Sequence, residues 1–356
     1  MSLYEFMVYD KNKNKLKDKE LRILCKELSI LLESGSEITK ILDILKSQSN
    51  KRIERILVNI SNHIQKGNSI TESFQTTKAF SNFFLSMIKA GEVSGNLDNV
   101  MKNLSDFYDK EYKLKSKMKI ILIYPLILIM ISTLSMLFIL LFIVPNFQII
   151  FENNGINPPI ITKILINMSI FIRKNYIVLV ILILMVLLIV SYNLKNNPII
   201  KSLNNKLKFE IPILKKFNLL VVTTRFCRSF SILIEGGVQI LEALEIASNV
   251  IDNNFIYKKL LISKEYINRG NGISYSLNKS NVFPNLFISM INIGEESGKL
   301  DDSIKTINEF YENDLNIKVE QFTRSIEPII TVIIGSIIGI FIIAMVMPMF
   351  DAISSI

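Results

Sequence analysis

Two copies of an acidic, glycine-containing octet hold the residues whose types and spacing are best suited to chemistry. Residues 91–98 have the sequence Gly-Glu-Val-Ser-Gly-Asn-Leu-Asp, and residues 294–301 repeat it as Gly-Glu-Glu-Ser-Gly-Lys-Leu-Asp. In one interpretation each octet joins two helices: glycines provide left-handed or closely packed backbone, a serine or asparagine caps the next helix, and the aspartate favours its dipole. In the other, the octets form an exposed acidic rim that docks a partner or loosely binds a cation. The candidate docking residues are Glu92, Ser94, Gly95, Asp98, Glu295, Ser297, Gly298 and Asp301.

The second octet also resembles a phosphate-binding loop, because a glycine and a lysine follow Gly294 at positions 298 and 299. Such a loop has one more residue between its glycines, and a serine or threonine after the lysine to reach magnesium. Here the spacing is one residue short and Leu300 follows the lysine, while the first octet has Asn96 in place of the lysine. The octets are therefore not nucleotide sites.

No other constellation in the sequence supports catalysis. The only histidine, His63, has no second histidine or cysteine at the spacing of a zinc site, and one histidine leaves no convincing Ser-His-Asp set. We expect Cys25 and Cys227 to be buried small apolar residues and not a disulfide. The sequence thus predicts no catalytic, cofactor-binding or metal-binding residue, and a protein that is not an enzyme.

The elements that must position the octets are partly membrane-embedded. The chain has 356 residues, of which 49% are apolar, a formal charge of +9 and a mean hydropathy of +0.36. The apolar excess lies in three uncharged runs at 120–144, 176–194 and 328–350. Each is long enough to cross a hydrocarbon core as a helix, which takes about 20 residues. A purely soluble enzyme is excluded, and a polytopic membrane protein is predicted.

The chain contains an internal repeat with an offset of 203 residues, or 202 near the start of each copy. The octets match at 203, as do Pro145 and Pro348, whereas Cys25 matches Cys227 at 202. In each copy, apolar residues at helical spacing alternate with short glycine-containing turns, a pattern typical of a bundle of about six helices. Both copies run from a module into a span in the same sense, so the extra span at 176–194 must return the chain between them.

Basic residues place both modules on the cytoplasmic side of the membrane. Lysines crowd the chain before the first span and after the second, whereas the connection 145–175 has only Lys163, Arg173 and Lys174 and the tail has no basic residue. The positive-inside rule then makes the connection and the C-terminus extracytoplasmic, although Arg173 and Lys174 lie on the unfavourable side. The lysines are expected to bind lipid headgroups and not nucleic acid.

We therefore predict an all-α membrane protein with two repeated cytoplasmic six-helix-bundle modules and three transmembrane helices. The predicted order is module 1 at 1–118, a transmembrane helix at 119–144, a short extracytoplasmic loop at 145–175, a second transmembrane helix at 176–194, module 2 at 195–327, a third transmembrane helix at 328–350 and an extracytoplasmic tail at 351–356. One module is thus used twice, with an additional span between the copies.

The spans carry no charge, which argues against a transporter, because transporter spans normally hold ionisable residues or broken helices. Prolines 125 and 328 are predicted at the cytoplasmic ends of two spans, where the first helical turn tolerates proline. Residue 327 is expected either to cap the third span or to receive a positive group from a membrane-embedded partner, and residues 335–339 form a GxxxG packing pattern. The border and packing candidates are Tyr124, Pro125, Glu327, Pro328, Gly335 and Gly339.

The duplicated octets, together with Tyr-Pro at 124–125 and Glu-Pro at 327–328, resemble the type II secretion system F family. This family comprises the inner-membrane platform proteins of type IV pili, type II secretion systems and competence pseudopili. The likeness extends over nearly the whole chain from about residue 20, and residues 4–16 are similar to a short form of the family's N-terminal segment. Further matches are Arg225-Phe226, Glu235-Gly236-Gly237-Val238 and Val282-Phe283-Pro284.

The resemblance implies a non-enzymatic scaffold of the inner membrane with a cytoplasmic N-terminus. Its modules would sit on a hexameric secretion or pilus ATPase, which hydrolyses the ATP. Its membrane part would accept pilin or pseudopilin and other inner-membrane assembly proteins, as a homo-oligomer in the lipid bilayer and without nucleic acid. The alternatives are a small-solute transporter and a membrane-bound signalling scaffold that builds no filament.

Overall fold

The computed structural model describes residues 15–153, 158–196, 212–251 and 253–354, and every regular element within them is a helix. The N-terminal segment 4–16 of the family resemblance lies outside the described residues except for its last two positions. The first helix in the described residues belongs to module 1.

Module 1 consists of six helices, of which the last leaves the module and enters the first predicted span. They are Asp18–Glu33 (α1), Ile38–Gln48 (α2), Lys51–Gln65 (α3), Ile70–Thr76 (α4), Asn82–Ser94 (α5) and Leu97–Phe138 (α6). A π-helical turn at Ile139–Ile143 follows α6 directly and leads into α7, Val144–Asn153.

Module 2 repeats the six helices after an intervening helix, α8, at Ile160–Asn196. They are Pro212–Glu235 (α9), Ile240–Val250 (α10), Asn254–Asn268 (α11), Ile273–Lys279 (α12), Asn285–Ser297 (α13) and Leu300–Ser354 (α14). Two successive six-helix modules among the described residues confirm the predicted fold class.

Equivalent capping residues begin and end helices in both modules. The Asn50 side chain accepts hydrogen bonds from backbone N–H groups in the first turn of α3, and its repeat equivalent Asn253 does the same for α11. Gly35 and Gly237 take left-handed φ angles of 74° and 80° just after α1 and α9. These caps satisfy N–H and C=O groups that a helix leaves unpaired at its ends.

Each module has its own apolar core. Cys25 and Cys227 are fully buried free thiols, as predicted, and burial raises the pKa of both. Aromatic rings also pack within each core, and Phe80 and Phe84 of module 1 are equivalent to Phe283 and Phe287 of module 2. The ring clusters are Phe74, Phe80 and Phe84 in module 1 and Phe226, Phe283 and Phe287 in module 2.

The described residues divide into two compact units. One unit lies within Met1–Ser116 and Ser202–Ile317 and so contains both modules. The other lies within Lys117–Lys201 and Lys318–Ile356 and contains the predicted spans. The two modules therefore share one unit, and the boundary of module 2 at residue 327 stays a prediction.

Pro125 and Pro328 lie inside continuous helices and not in the first turn of a span. α6 begins at Leu97 and α14 at Leu300, so several helical turns precede each proline. The prediction that these prolines lie in the first turn of a helix is wrong, because module and span share one uninterrupted helix. That helix tolerates the loss of a backbone hydrogen bond, a cost of about 3 kcal/mol. For the same reason Glu327 cannot cap the third span.

Three helices among the described residues are long and apolar enough to cross a membrane. Of these, Leu97–Asn153 contains the first predicted span, and Leu300–Ala344 contains residues 328–344 of the third. The third, Lys215–Glu235, is mostly buried and supplies core residues of module 2, so its apolar character is explained without a membrane. The second predicted span, 176–194, lies within α8, where many side chains are outside the described set, and it stays a prediction.

The connection predicted as a loop at 145–175 is largely helical. α7 extends to Asn153, and α8 begins at Ile160. α8 is kinked at Asn175 (φ −118°, ψ 20°), immediately before the predicted start of the second span at 176. The helical part of α8 before the kink therefore belongs to the connection.

Side chains of α8 satisfy carbonyl groups near the end of the first span. Pro145 has no backbone N–H. In an α-helix that N–H would bond to the carbonyl of Leu141, four residues earlier, and in a π-helix to that of Leu140, five residues earlier. Arg173 donates to the Leu141 carbonyl at 2.7 Å, and the buried Ser169 hydroxyl donates to the Leu140 carbonyl at 2.5 Å. Arg173, which lies on the unfavourable side of the predicted topology, thus has a structural reason for its position.

The third span has the same device at the equivalent proline. Pro348 offers no N–H to the Ala344 carbonyl, and the buried Thr162 hydroxyl of α8 donates to that carbonyl. The acceptor residues Leu140 and Ala344 belong to a buried apolar cluster formed by the π-helical turn, α7, α8 and α14. Its buried members are Leu140, Val144, Leu165, Phe341 and Ala344.

Candidate functional site

The fifth residue of each octet ends a helix in the left-handed conformation. Gly95 (φ 69°) follows α5, and Gly298 (φ 67°) follows α13. The residue after each of them donates its backbone N–H to the carbonyl of the first glycine of the octet, at 3.0 Å in the first octet and 2.9 Å in the second. This bond is the six-residue closure of a Schellman motif, for which glycine is the preferred left-handed residue.

The first glycine of each octet allows two helices to approach closely. A Cβ atom on Gly91 would lie 3.0 Å from Val100 Cγ2, and a Cβ atom on Gly294 would lie 2.7 Å from the Cβ of Ser303. Val100 and Ser303 are equivalent residues of α6 and α14. The interpretation of each octet as a turn that joins two helices is therefore confirmed in both copies.

The octet glutamates hold the start of a neighbouring helix. Glu92 accepts hydrogen bonds from the backbone N–H of Ile70 at 2.5 Å, the backbone N–H of Thr71 at 3.0 Å and the Thr71 hydroxyl at 2.6 Å. Glu295 accepts from the N–H groups of Ile273 at 2.7 Å and Ser274 at 3.0 Å. Each carboxylate thus satisfies the first amides of α4 or α12, where the positive end of the helix dipole lies.

These contacts shift the titration of both glutamates. Partial burial acts to raise the pKa of Glu92, but the hydrogen bonds from Thr71 and Ile70 outweigh it and lower the pKa overall. For Glu295, burial likewise acts upward, and the bonds from Ser274 and Ile273 lower the pKa. Hydrogen bonds to the charged form of a carboxyl group favour that form, so both side chains are held as carboxylates.

The octet aspartates remain exposed. Asp98 and Asp301 are the second residues of α6 and α14, and in the described part of the chain neither forms an ion pair or a side-chain hydrogen bond. The serines bond within their own helices and do not cap the next ones: Ser94 donates to Gly91 at 3.5 Å and Ser297 to Ile293 at 2.7 Å. The acidic rim is therefore divided between structural glutamates and exposed aspartates, and its docking role stays a prediction.

A buried charge cluster joins the two modules within their common unit. Arg228 of α9 contacts Glu111 of α6 at 2.9 Å and Glu312 of α14 at 2.8 Å. Arg225 reaches Glu111 at 3.1 Å, and Lys110 reaches Glu312 at 2.6 Å. The side chains of Arg228 and Glu111 are nearly inaccessible to solvent, so each charge depends on its partner.

The cluster keeps its acidic members charged. Burial acts to raise the pKa of Glu312, but the nearby Arg228 and Lys110 lower it. Sequence reasoning did not find this cluster, because Glu111 and Arg228 are far apart in the chain. Their repeat equivalents, Asp314 and Lys26, are charged as well, so the sequence does not distinguish the paired copy from the other.

The two membrane-border candidates from the two copies meet each other. The Tyr124 hydroxyl donates to Glu327 Oε1 at 3.3 Å, and these residues are repeat equivalents. Both side chains are exposed, and Pro125 and Pro328 follow them directly inside the helices. The border candidates are thus brought together by the repeat, and binding of a partner by Glu327 stays a prediction.

The GxxxG candidates lie on an open helix face. No atom lies within 4 Å of where a Cβ on Gly335 or Gly339 would stand. The close packing that this pattern permits is therefore not made with any described part of the chain.

Comparison with known proteins gives one consistent relationship. The family model described as Type II secretion system (T2SS), protein F matches residues 24–145 and 226–348, together more than half of the chain. The chain is 30% identical over 340 residues to the Type IV pilus assembly protein PilC of Thermus thermophilus, covering 95% of this chain and 83% of that protein. It is 24% identical to PilC of Pseudomonas aeruginosa (95% and 91% covered) and 27% identical to the Type II secretion system protein F of Vibrio cholerae (93% and 82%). Each matched stretch contains one copy of the repeat and ends at its outer proline.

Proposed function

Because this chain belongs to the type II secretion system protein F family, we propose that it is an inner-membrane platform protein for assembly of a type IV pilus or a pseudopilus. The observation that carries the proposal is the family match to both copies of the repeat, each with its module and its span. The similar proteins of Thermus thermophilus, Pseudomonas aeruginosa and Vibrio cholerae are named for pilus assembly or type II secretion.

In this proposal a cytoplasmic secretion ATPase binds the modules, and pilin or pseudopilin binds the membrane part together with other assembly proteins. Continuous helices support such coupling, because α6 and α14 each begin in a module and extend through a predicted span. A hydrogen-bonded helix transmits a displacement of one end along its length. Asp98 and Asp301, exposed in the first turns of these helices, are the proposed docking residues.

The proposed topology places the N-terminus and both modules in the cytoplasm and the C-terminus outside. Lysines before the first span and after the second support this orientation. The bond from Arg173 to the Leu141 carbonyl supports it further, since it gives a basic residue of the connection a local partner. The protein acts as a homo-oligomer in the lipid bilayer, without a nucleic-acid partner and without catalysis of its own.

Deletion of the protein in its host tests the proposed function. Surface filaments or secretion should be lost, while pilin is still made and remains in the inner membrane, and the wild-type chain supplied in trans should restore filaments. Normal filaments in the deletion strain would contradict the proposal. Solute flux into liposomes that contain only this chain would favour the transporter instead.

Charge reversal in the second octet tests the docking residues. Asp301→Lys should reduce ATPase recovery in pull-downs from membranes at least about tenfold, the loss expected when a favourable charge contact becomes repulsive. The matched control is Glu296→Lys, an exposed octet residue that does not cap a helix. Equal recovery with Asp301→Lys and wild type would remove the docking role, whereas a fall in unfolding temperature would make the residue structural.

A pair of variants tests Glu327 as a pilin contact. Glu327→Gln removes the negative charge, whereas Tyr124→Phe removes only the hydrogen bond between the two residues. If the carboxylate receives a positive group, photo-crosslinking to pilin should fall with Glu327→Gln and be preserved with Tyr124→Phe. Unchanged crosslinking in both variants, with normal membrane insertion, would remove the proposed contact.

A further inference from the structure

The two modules pack through different surfaces. We call face A of a module the surface of its fifth and sixth helices and face B the surface of its first and second helices. Helix α10 of module 2 packs against α5 of module 1. A Cβ atom on Gly236, directly after α9, would lie 3.4 Å from Met87 Cε, and Glu111 of α6 pairs with Arg228 of α9. Module 1 therefore uses face A, and module 2 uses face B together with Glu312 of its sixth helix, which pairs with Lys110 of α6.

The equivalent of face A in module 2 is uncovered. Phe83 and Phe107 of module 1 pack in a tilted arrangement, with 4.4 Å between ring centroids, and are 3% and 4% exposed. Their equivalents, Leu286 and Phe310, are 45% and 50% exposed. Ile293, on the same helix as Leu286, is also exposed. An apolar surface that is buried in one copy is thus presented to solvent in the other, with its large side chains retained.

The equivalent of face B in module 1 is uncovered as well. Ile246 of α10 is 7% exposed, whereas its equivalent Ile44 of α2 is 42% exposed. Ile30 and Ile23 of α1 also lie open. Each module therefore has one covered face and one open face, and the open faces are of opposite kind.

Charge completes the match between the open faces. In the covered interface Glu111 of face A pairs with Arg228 of face B. The corresponding residues on the open faces are Asp314 and Lys26, which keep the same two signs and form no ion pair in the described part of the chain. If the two open faces packed together in the way that the two covered faces do, Lys26 would lie opposite Asp314.

We propose that face A of module 2 binds face B of module 1 of a second copy of this chain, so that copies join head to tail. A heterologous contact of this kind, in which unlike surfaces meet, leaves one surface of each kind open at its ends and continues until a ring closes. The inference specifies the surface of the self-association in the proposed function. It rests on the repeat and on side-chain exposure, and not on the ATPase or the filament.

Cysteine crosslinking between two differently tagged full-length copies tests the direction of this contact. One copy carries Asp314→Cys and the other Lys26→Cys, and the native Cys25 and Cys227 are too buried to react. A short bis-maleimide should join the copies only when both variants are co-expressed. Either variant alone should give no dimer, and Lys51→Cys, exposed on α3, should give none with Asp314→Cys.

Each other outcome of the crosslinking is decisive. Crosslinking of Asp314→Cys with itself would show a symmetric dimer and overturn the proposal. Crosslinking of that residue to another protein, and not to the second copy, would show that a different partner covers the face. Loss of filaments in a deletion strain together with no crosslink would refute the contact while leaving the platform function standing.

Charge exchange and an apolar replacement test the same contact in purified protein. Asp314→Lys and Lys26→Asp should each weaken self-association in detergent, measured by light scattering, and the double variant should restore it. Phe310→Glu should weaken it about tenfold or more, the effect of losing one buried aromatic side chain. Because Lys26 and Phe310 are exposed in the single chain and Asp314 is only partly buried, the unfolding temperature should not change. Self-association unaffected by all three single substitutions would overturn the proposal.

Discussion

The two modules share their helices, caps and octets, but they differ in which surface is covered. Residues that build the inside of each bundle behave alike: both octet glutamates hold a helix start, and both cysteines are buried. Residues on the outside behave differently, because Glu111 is paired in the interior of the unit while its equivalent Asp314 forms no ion pair with the residues that the structure describes. The repeat thus determines the construction of a module, and position in the chain determines its surroundings.

The largest expected difference between the copies is at the central arginine. Arg228→Ala leaves Glu111 and Glu312 without their shared partner in a buried site, so the free energy of unfolding should fall by about 3–5 kcal/mol. Lys26→Ala, at the equivalent exposed position, should change it by less than about 0.5 kcal/mol. Urea unfolding of the monomer in detergent, followed by circular dichroism, measures both. Similar losses in the two variants would mean that the copies are not distinguished in this way.

A smaller difference is expected at the first glycine of the octets. Gly294→Ala brings a Cβ atom against the Cβ of Ser303 and should destabilise module 2 by about 1–3 kcal/mol. Gly91→Ala should cost less, because the Val100 methyl group it meets is slightly farther away. Gly339→Ala, in open space on α14, serves as a control and should cause no loss. Thermal unfolding ranks the three, and a harmless Gly294→Ala would refute the close packing.

The smallest effect should be shared equally by both copies. Glu92→Gln and Glu295→Gln weaken the hold on the first amides of α4 and α12 and should each cost about 1 kcal/mol at pH 7. Since the folded state lowers the pKa of both glutamates, their contribution is complete above the unfolded value near 4.3 and is lost as pH falls through the lower folded pKa.

Urea unfolding at pH 7 and again at about pH 4, near that unfolded pKa, tests this last prediction. The difference between wild type and each glutamine variant should shrink on acidification. Asp301→Asn, which removes an exposed octet carboxylate with no partner among the described residues, should have almost no effect at either pH. A difference that grows as the pH falls would contradict the assigned hydrogen bonds.

Local patterns were sufficient to predict most of the fold. Helical spacing, glycine turns and the 203-residue offset indicated two six-helix modules. For the octets, the structure confirms the glycine part of the helix–helix turn interpretation but not the predicted capping by serine. Local reasoning failed at Pro125 and Pro328, because a proline at the edge of an apolar run resembles a helix start when the preceding helix is read separately. The uninterrupted α6 and α14 override that signal.

Contacts between distant segments had no signal in the sequence. Glu111 and Arg228 meet only because the modules pack together, and similar charges at Asp314 and Lys26 conceal the asymmetry. Arg173 appeared unfavourable under the positive-inside rule, since that rule counts charges and does not include a carbonyl left without an N–H by Pro145. The predicted acidic rim likewise included Glu92, because the sequence does not indicate that its carboxylate contacts the start of α4.

The central claim is that one buried charge cluster holds the two modules of a chain together through unlike faces. A double-mutant cycle on Glu111 and Arg228 tests this claim most directly. Glu111→Gln, Arg228→Met and the double variant are compared with wild type by urea unfolding. The account predicts a coupling energy of about 2 kcal/mol or more, because each single change removes one partner of a buried charge and leaves that charge desolvated. Additive losses, with a coupling energy near zero, would contradict it.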